Sequence, residues 1–335
     1  MKLLIILSFI SLIRPLENIQ PLIDEGLDHL YREDYEKADS LFSLLCDKFP
    51  PLGYLFKGFL LDRYMVDFST DRFEGRYFAL LDTTVSLSDR LLEKSIGRRQ
   101  KSFLHFIKGS ALSYKATRWA RKGDLIKALK NAKGAVAQLS LALKMDSTLF
   151  DAYLGLGVYD YAMGFLDRYF DWLPFVNNHK EMGIKKVKWA MERGRFTKTL
   201  AKETLVWMYL YNGEPLKALG LAKELCREYP DARFSLWTLA TCDTFMHKWW
   251  DALKTYKSLI PLIEKRQPDC YYCLSLLYYH IAQCYKELGK ERDAYIALER
   301  SSEILKREEE REERARKLRK RIERLREVIK GLDNY

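Results

Sequence analysis

The sequence lacks the short motifs that commit a chain to a particular chemistry. Its five histidines, His29, His105, His179, His247 and His280, form no H-E-x-x-H pair or comparable ligand set. There is no G-x-S-x-G elbow, and Gly289-Lys290 lacks the upstream glycine of a phosphate-binding loop. An enzyme reading therefore has no residue to rest on, and neither a metal nor a cofactor is expected. A long apolar run is missing as well. Leu3 to Ile13, preceded by Lys2 and ended by Arg14-Pro15, would reach only about 17 Å as a helix, against roughly 30 Å of membrane hydrocarbon. That length argues against a spanning helix. No cysteine precedes Cys46, which excludes a lipid-modified cysteine beside this run.

The run does match the size of the apolar region of an export signal, although no A-x-A-like cleavage site follows it. Residues 1–18 are accordingly read as a signal-like apolar N-terminus, and the protein is expected to be exported, periplasmic or envelope-associated. The competing reading is a short buried first helix in a cytoplasmic protein.

The net charge of +11 is concentrated. Residues 306–330 hold twelve basic and seven acidic side chains, which leaves only a mild positive balance over the rest of the 335 residues. Charge alone thus gives no reason to expect nucleic acid. Within the tail, Arg314, Arg316, Lys317, Arg319, Lys320, Arg321, Arg324 and Arg326 surround the single acid Glu323. Such a run suits a solvated helix, and it is also a candidate for peripheral membrane contact. Ala315, Leu318, Ile322, Leu325, Ile329 and Leu332 alternate by three and four. That spacing fits either a capping helix over the end of a helical array or weak self-association through Ala315 to Leu332.

What the chain does contain is a repeat. Ala218 and Ala252 lie 34 residues apart, as do Leu205 and Leu239. Each unit holds two helix-length apolar patterns joined by a short turn, first at Asn212-Gly213 and then near His247-Lys248. A third copy offers Tyr278, Ile281, Ala282, Tyr285, Gly289, Ala294 and Leu298, displaced by extra residues around Arg266-Gln267-Pro268-Asp269. These positions resemble the tetratricopeptide repeat, a helix hairpin in which small residues occupy the close helix crossings and large ones interlock with the next pair. The resemblance implies an all-α fold, a TPR-like α-solenoid of about seven helix pairs with a long charged C-terminal helix. The array is expected over residues 19–305 and the extension over 306–335, with the last second helix running into the extension unbroken. Two departures stand out: Asp243 occupies the place of a large aromatic, and Glu264 that of the terminal proline.

Earlier copies begin at Ile19 and near Tyr54, and a third pair spans Ser102 to Lys144 with its turn at Arg121-Lys122-Gly123-Asp124. The fourth is interrupted. Its first helix fits Ala152 to Tyr161, its second begins near Met182-Gly183, and residues 164–180 between them form an insert too aromatic for a solvated loop, with Phe165, Tyr169, Trp172 and Phe175. Around Gly157, Leu173-Pro174 and Gly183-Ile184 there is a local likeness to the tetratricopeptide repeat 39 family, related to inclusion-body clearance in eukaryotes.

Cys270-x2-Cys273, with His280 and Cys284 nearby, has ligand and dithiol spacing. On one straight helix the two pairs would stand about 10 Å or more apart, too far for a shared tetrahedral ion. A disulfide or ordinary repeat packing remain as readings.

Carried over by resemblance, the groove of the array is lined by Leu200, Glu203, Trp207, Leu210, Tyr211, Phe234, Trp237, Thr241, Thr244, Phe245, Leu276, Tyr279, Gln283, Lys286 and Glu287. This lining is aromatic and lacks the lysine and asparagine clamp that would hold a terminal carboxylate. The expectation is a non-enzymatic scaffold or adaptor that binds a protein or peptide partner through an aromatic concave groove, in the bacterial cell envelope. Two alternatives stand beside it. In one the 164–180 insert fills the groove and partners bind elsewhere; in the other the apolar N-terminus and basic tail make a membrane-surface module.

Overall fold

A computed structural model of the chain describes residues 19–94, 97–165, 179–266, 270–308 and 313–332. The fifteen helices among them fall into seven consecutive pairs and one further helix. The pairs are α1 (Gln20–Tyr31) with α2 (Tyr35–Lys48), α3 (Pro50–Asp67) with α4 (Glu74–Leu92), α5 (Arg98–Arg121) with α6 (Leu125–Met145), and α7 (Ala152–Met163) with α8 (His179–Arg193). They continue as α9 (Lys198–Tyr211) with α10 (Pro215–Glu228), α11 (Arg233–Phe245) with α12 (Trp249–Arg266), and α13 (Tyr271–Glu287) with α14 (Glu291–Leu305). The last helix is α15 (Glu313–Leu332). This is the expected all-α fold of stacked helix hairpins. The chain divides into two compact units: residues 1–65 with 71–208, and residues 66–70 with 209–335.

The hairpin turns follow from local chemistry. Gly123, Gly213 and Gly289 adopt φ of +79°, +74° and +67° where a first helix ends, and Glu33 and His247 take the same left-handed bend in their pairs. The Asp34 carboxylate then accepts from the Lys37 amide, and that of Asp124 from the Lys127 amide, so each acid satisfies an amide that helix geometry leaves open.

Packing within each pair depends on missing bulk. Ala218, Ala252 and Ala294, the small positions of the repeat, are fully buried. The crossing of α7 and α8 is tighter still. A Cβ on Gly157 would stand 2.7 Å from the Gly183 carbonyl oxygen, and one on Gly183 would stand 2.7 Å from both the Gly157 carbonyl oxygen and the Tyr161 amide nitrogen. Backbone therefore meets backbone at that crossing, with the Val187 side chain equally close to Gly157.

One expectation fails at the C-terminus. The last second helix does not run on: α14 stops at Leu305, and the described residues resume as a separate helix at Glu313. Helix α15 folds back on α13 and α14, burying Ala315, Leu318, Ile322 and Ile329 in the core of the second unit. The apolar stripe proposed for self-association is thus used inside the chain. The alternation of three and four was real, but spacing does not say whether the matching apolar surface belongs to a second copy or to the same molecule.

We expect Gly157→Ala and Gly183→Ala each to destabilise the fold by about 2 kcal/mol, because the added methyl must push helix backbones apart. Gly220, inside α10, has nothing within 4 Å of its Cβ position. Gly220→Ala should be neutral or stabilising by roughly 0.5–1 kcal/mol. Urea titrations of the three variants check this; equal midpoints for all three would refute it.

Candidate partner-binding surface

In the first unit, the space beside the first helices of three pairs is taken by the protein itself. Asp151, buried after α6, accepts hydrogen bonds from the amides of Arg195, Phe196 and Thr197 at 2.9, 2.7 and 3.0 Å and from the Thr197 hydroxyl at 2.9 Å. That carboxylate shapes the loop before α9 and fixes Phe196. The Phe196 ring lies 6.4 Å from Phe56, 6.0 Å from Phe103 and 6.4 Å from Phe106, so residues of α3 and α5 close around it. Nearby, one Arg63 nitrogen donates to both oxygens of Glu203 at 3.1 and 2.9 Å, and both side chains are largely buried. On one side of Phe196 lies a cavity of about 40 Å³ bordered by Tyr31, Phe56, Phe59, Phe106 and Leu200, room for little more than a water molecule, and on the other a wider one of about 600 Å³ bordered by Asp24, Arg99, Phe103, Asp151 and Arg195. Leu200 and Glu203, expected to face a partner, serve this internal closure, while Trp207 further along α9 is half-buried.

The second unit uses several expected groove residues in the same way. Trp237 of α11 meets Tyr256 of α12 and His280 of α13 edge-on at 5.6 and 5.5 Å, and Tyr256 stacks on His280 at 5.3 Å. The Thr241 and Thr244 hydroxyls donate to the carbonyls of Trp237 and Ala240. Leu210, Phe234 and Tyr279 are buried. The Tyr279 ring is covered by Arg321 of α15, whose guanidinium carbon lies 4.5 Å above its centre. Burial, and then Arg321, lower the pKa of His280 to about 4. Burial also pushes the Tyr256 hydroxyl up to about 12.

Two of the expected residues do face solvent: Tyr211 is 65% exposed and Phe245 is 49% exposed. They lie 34 residues apart, at the ends of α9 and α11. Across the turns from them, at the starts of α10 and α12, stand Leu216 and Trp250, again 34 apart and 73% and 58% exposed. Lys290, in the next turn, places its ammonium 4.5 Å above the Trp250 ring, so consecutive hairpin turns lie side by side. The sequence carries a signal for Leu216 and Trp250 in their position relative to the buried stripes. The buried stripes are Ala218, Leu219, Ala222 and Leu225 on α10 and Ala252, Leu253, Tyr256, Leu259 and Ile263 on α12. Both Leu216 and Trp250 fall outside those stripes, so helix packing does not account for either.

Phe165 of the insert is partly exposed, lies edge-on to Tyr161 at 5.4 Å and sits beneath the Lys180 ammonium. Tyr169, Trp172 and Phe175 lie outside the described residues. Cys270 and Cys273 form a disulfide with their Cα atoms 5.4 Å apart, at the start of α13. Their sulfurs rest 3.3 and 3.6 Å from the carbonyl oxygens of Phe68 and Asp67. Ordinary repeat packing is therefore not the whole account of this pair. Among the described residues, no group of three or more histidine, cysteine or acidic side chains is placed to hold a metal ion.

No protein-family model and no curated protein matches the sequence. Solved structures do resemble it. The Cut9 and Hcn1 hetero-tetramer of the APC/C matches with a TM-score of 0.51 and 14% identity over 94% of this chain and 57% of that one, so the similarity spans little more than half of that protein. The C-terminal part of a TPR repeat-containing protein from Cytophaga hutchinsonii matches with a TM-score of 0.46 and 18% identity, covering 88% of this chain and 98% of that one. YrrB, described as a TPR protein with an unusual peptide-binding site, matches with a TM-score of 0.45 and 14% identity over 70% of this chain and 97% of that one. At these identities the likeness concerns the fold.

The aromatic cluster around His280 generates a pH prediction. The neutral ring is favoured in the folded state, whose pKa of about 4 lies below the ordinary 6.5. The unfolded chain therefore binds the extra proton between these values, and stability present above pH 6.5 is lost as pH falls toward 4. The ring keeps some solvent contact, so we expect the loss to be about 2 kcal/mol. Chemical denaturation of the wild type and of His280→Phe across this range should show the variant with the flatter profile; parallel profiles would contradict the assignment.

Proposed function

Because this chain has the fold of the tetratricopeptide-repeat proteins, we propose that it is a non-enzymatic scaffold that holds a partner protein or peptide against its second unit. The observation that carries this reading is the pair of matched positions at the hairpin turns, Tyr211 with Phe245 and Leu216 with Trp250. Large apolar side chains exposed to this degree at the same register of successive repeats form a patch characteristic of an interaction surface. The half-buried Trp207, Trp237, Thr241 and Gln283 are the deeper residues of this reading. In it they support the helices that carry the exposed side chains.

The partner suited to such a surface is an apolar or amphipathic segment whose anchor residues fall into the spaces between neighbouring turns. Lys290 over Trp250 adds a cation along the same edge. The signal-like run Leu3 to Ile13 supports a position in the bacterial cell envelope for the complex.

Photo-crosslinking tests the proposal. Probes at positions 211, 216, 245 and 250 are expected to capture one common protein in cells, recovered with the envelope fraction, and a probe at position 144 in the first unit should not capture it. With that protein purified, Tyr211→Asp with Phe245→Asp should weaken binding about ten-fold or more without loss of helicity. Capture of unrelated species at the four positions, or unchanged affinity in the double variant, would reject the surface.

A further inference from the structure

We propose that the tip of the α5–α6 hairpin is a second interaction surface, and that it docks on an anionic lipid membrane. Helix α6 buries a narrow stripe, Ala128, Ala135, Leu139 and Ala142. Outside that stripe its first turns expose Leu125, Ile126 and Leu129, at 72%, 85% and 45%. A hairpin that needed only to be soluble would carry polar residues here. Leu125 and Ile126 lie directly after the Gly123 bend, at the tip of the hairpin.

The charges around this tip select the occupant. Helix α6 has no acidic residue from Leu125 to Met145, but it carries Lys127, Lys130, Lys133 and Lys144. The acids near the tip are engaged within the protein. Asp124 accepts the Lys127 amide and pairs with its ammonium at 2.9 Å, Asp62 pairs with Arg121 at 3.1 Å, and Glu74 holds Arg118 at 2.9 Å and Lys122. Lys122 and Lys127 also lie over the face of Trp119, at 5.6 and 4.2 Å. Lys130 and Lys133 are exposed on the turns directly behind Leu125, Ile126 and Leu129. The arrangement is an apolar wedge backed by a cationic collar. It suits insertion of the wedge to headgroup depth while the lysines remain at the phosphates, and each lysine near such a surface strengthens binding about five-fold. Among the described residues no helix is long and apolar enough to cross a membrane, so the contact would be peripheral. A protein partner for an acid-free apolar face would need acidic residues of its own around an apolar pocket. A bilayer containing phosphatidylglycerol supplies both features continuously.

The test uses the full chain in flotation with phosphatidylcholine vesicles and with phosphatidylcholine–phosphatidylglycerol vesicles. Binding to the anionic vesicles only is expected. Ile126→Glu should weaken it about ten-fold or more, because an exposed apolar contact becomes a repelled charge. Lys130→Glu with Lys133→Glu should weaken it comparably, and added salt should weaken wild-type binding. All three side chains are exposed, so these variants leave the fold intact, which circular dichroism verifies. No binding by the wild type, equal binding to neutral vesicles, or unchanged binding by Ile126→Glu would each overturn the proposal. Dimerisation of the wild type that Ile126→Glu abolishes, with vesicle binding untouched, would assign the face to a second copy and overturn it as well. Because the turn edge bearing Trp250 is a separate surface, failure here leaves the partner-binding proposal unaffected.

Discussion

A helix hairpin has two apolar faces and can bury only one by itself, so each pair in this chain is stable only against its neighbours. The contacts that satisfy this need require two backbones to come close, and that closeness is set by the absence of bulk. Gly157 against Gly183, and the fully buried Ala218, Ala252 and Ala294, are where the structure meets the condition. Everything placed on the surface of the array inherits its position from these crossings. A methyl group at the α7–α8 crossing would move helices, whereas one at Gly220 would meet nothing.

The same logic determines which aromatic residues are available for function. Aromatic content was a guide to binding in the sequence, yet most of it is consumed by closure. Phe196 is seated by the buried Asp151 and enclosed by Phe56, Phe103 and Phe106, while Trp237, Tyr256 and His280 join three consecutive helices. Arg321 of α15 covers Tyr279. Among the exposed apolar side chains, Tyr211, Leu216, Phe245 and Trp250, and Leu125 and Ile126, stand at hairpin turns. The surfaces argued for here, Tyr211 to Trp250 in one unit and Leu125 to Leu129 in the other, are both of this kind. They differ in their charge surroundings, and that difference is the ground for proposing a protein partner for one and a lipid surface for the other.

A scaffold acts by raising the local concentration of what it holds, and attachment to a membrane restricts where that happens. The two surfaces lie in different units and share no residue.

The sequence by itself determined the helical class, the hairpin turns and the pairing of helices. Each of these is a local property: a period of 34 residues, a glycine or a left-handed bend after a first helix, an aspartate before a second one. It also located the small crossing residues, because alanine at fixed spacing is visible without coordinates. Only the tertiary structure decided which apolar residues are buried. Leu210 and Tyr211 are adjacent in the chain, yet one is sealed and the other 65% exposed. Likewise, the stripe from Ala315 to Ile329 reads the same whether it meets a second copy or the last repeat, and the fold commits it to the repeat. Burial depends on what lies opposite a residue in space, and for Arg63 and Glu203 the opposing residue is 140 positions away.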